Sequence, residues 1–204
     1  ALVTDPTVGP ALVVPLHDRD GRASAHLRAI TPVLKGIFST AWIGLTPTTR
    51  AAAPAWVATM EGDPFYRVYS GPEAPVGVQF RELYQAAAQG SPPSLMLHLC
   101  FADRLAYAVT VYHEAFAADV AAASGPDPVL FQRTQAAWAT HPRPYREIEG
   151  MITRVGELLF GQALVGHRRI RMCPAGSGAI FLQRLFRGLP GACGDRGLSR
   201  WSTD

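Results

Sequence analysis

The sequence predicts an α/β fold, a single mostly parallel sheet flanked by helices in a three-layer sandwich. Three observations predict it. Four short apolar runs, at residues 11–16, 41–45, 65–69 and 95–101, have the length of buried strands. Segments with helical spacing of apolar residues lie between them, so strand and helix alternate. Gly, Pro or polar clusters punctuate the junctions.

Residues 1–10, with Pro6, Gly9 and Pro10, read as an irregular lead-in. The run A-L-V-V-P-L at 11–16 is the first central strand, and Pro15 marks the end of its ladder. His17-Asp18-Arg19-Asp20-Gly21 is a polar turn. Leu27, Ile30, Val33, Leu34 and Ile37 then give a helix that Pro32 should kink or divide. A-W-I-G-L at 41–45 is the second strand, 46–49 a loop, and 51–60 a short helix interrupted by Pro54. F-Y-R-V-Y at 65–69 is the third strand, 71–75 a loop, and 78–88 a helix.

Pro92 and Pro93 precede the fourth strand at 95–101, and Asp103 follows it directly. Leu105, Val109, Tyr112 and Phe116 fall on one face, which predicts one long helix over 102–123. Residues 124–128 break it, 128–133 is a short apolar segment, and 135–140 is ambiguous. From Pro144 the positions Ile148, Met151, Ile152, Val155, Leu158 and Leu159 form a helical stripe that Gly161 closes. Glu147 and Glu149 are expected in its first turn. After Leu164 the apolar spacing weakens, and only 179–186 reads as helical.

Two regions follow: an α/β domain over 1–164 and an Arg/Gly-rich C-terminal extension over 165–204, expected to be poorly ordered. At 204 residues with 48% hydrophobic content the chain can bury a full core. The net charge of +3 is local. Residues 165–204 hold seven arginines against Asp195 and Asp204, while the rest carries 12 basic and 14 acidic residues. The main body is therefore not a nucleic-acid surface. An RNA- or lipid-binding role for the extension is disfavoured by its lack of interleaved aromatics. No apolar run reaches the ~18 residues of a membrane span. No signal peptide is visible. Cys100, Cys173 and Cys193 have neither C-x-x-C spacing nor a partnered His cluster, which disfavours zinc and points to a cytoplasmic protein.

Three predicted strand ends carry chemistry: 15–18, 45–48 and 101–104. In a parallel sheet all three share one rim, where ligands bind. The sequence contains no G-x-G-x-x-G after the first strand, no G-x-x-x-x-G-K-[ST] and no G-x-S-x-G. The usual dinucleotide fold, a P-loop and an α/β-hydrolase are thus disfavoured.

The order V-V-P-L-H-D, then G-V-Q-F-R-E-L-Y-Q-A-A-A-Q-G, then L-H-L-C-F-A-D-R resembles the nucleotide-binding half of GT-A glycosyltransferases, a Rossmann-like fold, over about residues 11–163. The resemblance implies binding of a nucleotide-diphospho-sugar, with Pro15, Leu16 and His17 against the nucleoside. It matches Gly77 and Arg81 to the Gly-x-x-x-Arg pair, and Asp103 to the second acid of the metal-binding Asp-x-Asp. Mn or Mg would sit there, with His141 as a further ligand. The segment H-P-R-P-Y-R-E-I-E and its helix match the acceptor side, where Glu147 or Glu149 would act as general base. The sequence departs from the pattern at Phe101, which stands in place of the first acid. It departs again after the second strand, where Thr46-Pro47-Thr48 replaces an acid. Arg81 or Arg104 could neutralise the diphosphate instead.

Each residue also has a structural reading. Asp103 would be a helix N-cap, His17 a solvated turn residue, and His98 a satisfied buried histidine. Arg81 would be a surface or ion-pair residue, and Arg146 would pair with Glu149. Two functions therefore stand: a glycosyltransferase using a nucleotide-diphospho-sugar, and a noncatalytic domain of that fold that binds a nucleotide or a partner protein.

Overall fold

All six residues of β1 (Ala11–Leu16) are buried, as a central strand covered on both faces requires. The computed structural model describes residues 9–122, 129–132, 139–160 and 168–174. The chain divides into two compact units, the first Ala1–Pro128 with Met172–Asp204 and the second Val129–Arg171.

In the first unit β2 (Thr40–Leu45) and β4 (Met96–Leu99) flank β1, and β3 (Tyr66–Ser70) lies outside β2. All three pairings are parallel. The order β3-β2-β1-β4 places the three expected neighbours side by side. Strand four is shorter than its apolar run. Leu95 accompanies a turn, its N–H bonded to the Pro92 carbonyl, and Phe101 already caps the next helix.

The helices cover both faces. On one face α4 (Val76–Gln89) lays Leu83, Tyr84 and Ala87 against Ala11, Val13, Leu97 and Leu99. Gly44 of β2 allows the close approach, since a Cβ there would sit 2.9 Å from Leu83. On the other face α1 (Arg22–Ile37) packs against α5 (Ala102–Val111). Leu27, Ile30 and Leu34 are its buried stripe. Pro32 does not divide α1. Pro32 and Arg28, whose carbonyl it leaves without a helical donor, are both exposed, so water can satisfy the freed group.

The expected single helix over 102–123 is two, α5 and α6 (His113–Ala122). Tyr112 at the junction leaves helical geometry (φ −131°, ψ 37°) and is exposed rather than in the apolar face. Beyond the break Phe116 reaches Phe38 and His98. The 46–49 loop and 51–60 helix are also redrawn. Thr46 caps α2 (Pro47–Ala52), Pro47 is in its first turn, and Pro54 begins α3 (Pro54–Glu61). A proline that seems to interrupt a helix here starts one.

The second unit contains β5 (Val129–Gln132), α7 (Arg143–Phe160) and the start of β6 (Arg168–Pro174). Because α7 begins at Arg143, Glu147 and Glu149 fall in its second turn, not its first. β6 lies in the stretch where no strand was expected. The anticipated 179–186 helix, Gly161 and Cys193 lie outside the described residues.

Candidate functional site at the carboxyl rim

The chain lays down β1, β2 and β3 in one direction and then returns to place β4 on the other side of β1. In open α/β sheets, ligands bind outside the carboxyl ends of the strands at such a reversal. β4 stops early. Leu99 pairs with Val13, and the Cys100 N–H donates to the Val13 carbonyl at 3.1 Å. β1 runs on to Leu16, so the rim is stepped at the switch point.

A polar network fixes the β1 side. The Asp18 carboxylate is buried and accepts from the Ser24 backbone N–H at 2.8 Å and the Ser24 hydroxyl at 2.7 Å. It thereby caps α1, whose own N-cap is Gly21 in the left-handed region (φ 75°) with no side chain to offer. Burial alone would raise the Asp18 pKa, but the Ser24 hydroxyl and N–H, together with the Asp20 side chain and the Ala23 N–H, outweigh it and hold the carboxyl below its ordinary value. The Asp18 N–H donates to Thr49 Oγ1 at 2.8 Å, and Thr49 in turn donates to the Leu16 carbonyl at 3.0 Å. These bonds tie the β1 turn to the start of α2.

His17 continues the network outward. Its Nε2 accepts from Arg19 Nε at 3.3 Å, which puts the ring proton on Nδ1, 3.1 Å from Thr46 Oγ1. Thr46 and Thr49 Oγ1 are 3.1 Å apart. Across the rim Glu73, from the loop after β3, accepts from the Thr48 hydroxyl and lies 3.7 Å from His17 Nδ1. Next to this cluster is a small recess of about 10 Å³, room for about one water, lined by Pro15, Gly44, Leu45, Thr46, Tyr69, Gly71 and Gln79.

On the β4 side Asp103 is not the N-cap of α5. Phe101 holds that position without a side-chain bond, and Asp103 lies in the first turn. Its side chain is 72% exposed and 3.5 Å from Arg104 Nε. Phe101 packs its ring on Phe80 of α4, centroids 5.0 Å apart. Phe80 stacks in turn on Tyr84. Aromatic packing thus fills the position where the resemblance would put a first acid.

Pro15, Leu16, His17 and Asp103 therefore share the carboxyl rim, and Gly77 and Arg81 lie in the first two turns of the helix that leaves it. His141, Glu147 and Glu149 belong to the second unit. There the His141 ring packs beside Tyr145, and Glu147 accepts from Arg143 Nε at 2.6 Å. The Glu149 side chain lies outside the described residues. No three His, Cys, Asp or Glu side chains converge as metal ligands among the described residues. A Mg-type ion, however, needs only one or two carboxylates when a diphosphate brings the remaining oxygens, and an exposed Asp103 fits that partial role.

Sequence reasoning put Asp18 and Thr46 at chemistry-bearing strand ends but gave them no role, and it missed Thr49 and Glu73. Thr46-Pro47 does carry a signal, a capping residue followed by proline at a helix start. The role of Asp18 could be inferred only by asking what caps a helix that opens on Gly21. Glu73 has no local signature, because its partners lie 25 and more residues away in sequence.

Fold and rim together define an α/β domain with a parallel sheet covered on both faces and a polar network at its carboxyl rim. No protein-family model matches the chain, and no curated protein matches it significantly. Among solved structures it is similar to one described as the crystal structure of 4-diphosphocytidyl-2C-methyl-D-erythritol synthase. Identity is 13%, over 91% of this chain and 82% of that one, with a TM-score of 0.44. No described helix is long and apolar enough to cross a membrane.

Proposed function

We propose that the domain binds a nucleotide-diphospho-sugar at the carboxyl rim and transfers the sugar to an acceptor. The observation that supports this reading is the reversal of strand order between β1 and β4, since His17 follows β1 and Asp103 follows β4 at the carboxyl ends of two parallel neighbours. Pro15, Leu16 and His17 would hold the nucleoside. Gly77 and Arg81 would lie towards the diphosphate, where a guanidinium pairs well with phosphate oxygens. Asp103 would share Mn or Mg with the diphosphate, the ion neutralising charge on the leaving group.

A specific observation favours a second reading, a noncatalytic domain that binds nucleotide without transfer. Phe101, packed on Phe80, stands where a first metal-binding acid would be. Calorimetric titration of wild type and Asp103→Asn with several nucleoside diphosphates, with and without Mn or Mg, separates the readings. Asp103 is not a cap, so Asn costs only its first-turn charge on α5, about 0.3–1 kcal/mol of stability. Transferase chemistry predicts that the variant binds at least tenfold more weakly when metal is present. Metal-independent binding that is equal in both proteins would favour the noncatalytic domain. Absence of binding in wild type would remove both nucleotide readings.

A further inference from the structure

Glu73 is the acid that meets Thr48, Thr46 and His17 at this end of the rim, the Asp18 carboxylate being committed to Ser24, and each of the groups facing Glu73 can donate. The Thr48 hydroxyl donates to its Oε1, and the Thr48 backbone N–H and the Thr46 hydroxyl also support the carboxylate. Nδ1 of His17, which carries the ring proton, is 3.7 Å from Oε2. The Thr49 hydroxyl proton is committed to the Leu16 carbonyl, so the single Thr46 proton can serve either Thr49 or Glu73. Thr46 and Thr48 come from the start of α2, and His17 from the loop after β1 stands beside them with its Nδ1 nearer to Thr46 Oγ1 at 3.1 Å than to the carboxylate, which comes from a third segment.

A convergent set of neutral donors around an exposed anion is a recognition site for an oxyanion. A phosphate group presents more acceptor oxygens than a carboxylate and would use the same donors. Glu73 is carried by a loop, residues 71–75, that is anchored at its far end where Gln79 Nε2 donates to the Ala74 carbonyl at 2.6 Å. Gly71 of the same loop lines the neighbouring small recess, and its N–H is held by the Leu45 carbonyl at 2.9 Å. Both ends of the strap are therefore fixed, and Glu73 is the contact between them.

We propose that Glu73 is an internal stand-in for a ligand phosphate, and that the site formed by His17, Thr46 and Thr48 becomes available to a phosphate-bearing ligand when the Glu73 carboxylate leaves it. The site is autoinhibited by its own loop: the ligand must displace a tethered carboxylate, which lowers its apparent affinity as any competing bound state does. The inference rests on the rim being the ligand site, but it concerns the phosphate alone and requires neither a nucleoside nor a metal.

The test is calorimetric titration of inorganic pyrophosphate into wild type, Glu73→Ala, Glu73→Gln and the double variant Glu73→Ala/Thr48→Val, in metal-free buffer at fixed salt. Glu73 is exposed, so the variants should fold, and a thermal melt checks this. Both Glu73 variants should bind at least tenfold more tightly than wild type, and Thr48→Val should abolish the gain. Amide hydrogen exchange in the 71–75 loop should accelerate in Glu73→Ala. Equal or weaker binding by the Glu73 variants, a gain that survives Thr48→Val, or no binding by any protein would overturn the proposal. A parallel series with a nucleoside diphosphate keeps the two ideas apart. Wild-type nucleotide binding untouched by Glu73 substitution sinks the latch alone. A pyrophosphate gain without nucleotide binding sinks the nucleotide reading alone.

Discussion

Replacing His98 with leucine should flatten the acid limb of this protein's stability. His98 is fully buried in β4 and meets Phe38 and Phe116 edge-on, with ring centroids 5.3 and 5.7 Å away. Burial among these groups disfavours the imidazolium and pushes the His98 pKa from 6.5 down to about 3. The sign follows from linkage. Below pH 6.5 the unfolded chain takes up a proton that the folded chain refuses, so stability falls as pH drops, until the folded form also protonates near pH 3. At about 1.4 kcal/mol per pH unit the full loss is on the order of 4–5 kcal/mol. A leucine side chain at this position would carry no proton, and a volume-conserving swap in the core costs about 1.5 kcal/mol or less near neutral pH. Urea melts of wild type and His98→Leu from pH 7 to pH 4 check this. Wild type should lose stability steadily below pH 6 and the variant much less. Parallel profiles would show that His98 does not resist protonation in the folded state.

Asp18→Ala should be the most damaging substitution at the rim, costing about 3 kcal/mol. It removes the buried carboxylate that caps α1, leaving only the exposed Asp20 carboxylate on the Arg22 N–H at 3.3 Å, and strands the Ser24 N–H and hydroxyl without their acceptor. Asp18→Asn keeps an acceptor at the same place and should cost about 1 kcal/mol. The carboxyl is held below its ordinary pKa. Its contribution is therefore complete above the unfolded value near 3.8 and is lost as pH falls through the lower folded value, a window more acid than that of His98. Denaturant midpoints for the two variants at pH 7 measure the difference. Equal midpoints for Asp18→Ala and wild type would mean that α1 does not depend on this cap.

The parallel sheet was legible because its strands are buried on both faces. Such strands read as continuous apolar runs, and Ala11–Leu16 is wholly buried. The shared rim of His17 and Asp103 then followed from alternation of strand and helix alone. Strand limits were less legible. Cys100 and Phe101 extend the β4 run in composition, but the ladder on β1 ends at Leu99, and only the partner strand sets that limit. The break at Tyr112 has no Gly or Pro to announce it, and it accompanies the reach of Phe116 into the Phe38–His98 cluster.

The site was legible where chemistry sits next to a strand end, as at His17 and Asp103. It was illegible where function depends on convergence. Asp18 was read as part of a polar turn, although burial makes it the anchor of α1. Glu73 was passed over in a Gly/Pro loop, because only the folded chain brings it to Thr48 and His17. Phe101 could be recognised in sequence as a departure from an acid, but its replacement by an aromatic stack on Phe80 required the packing of α4.

The central claim, a ligand site at the carboxyl rim around the β1–β4 switch point, is tested most directly by backbone amide shift mapping during titration with a nucleoside diphosphate and Mg. The shifts should concentrate at residues 15–24, 46–49, 71–81 and 100–104. Saturable shifts at the opposite, amino-terminal edge of the sheet, near residues 39–41 and 94–97, or no shifts at millimolar ligand, would contradict it.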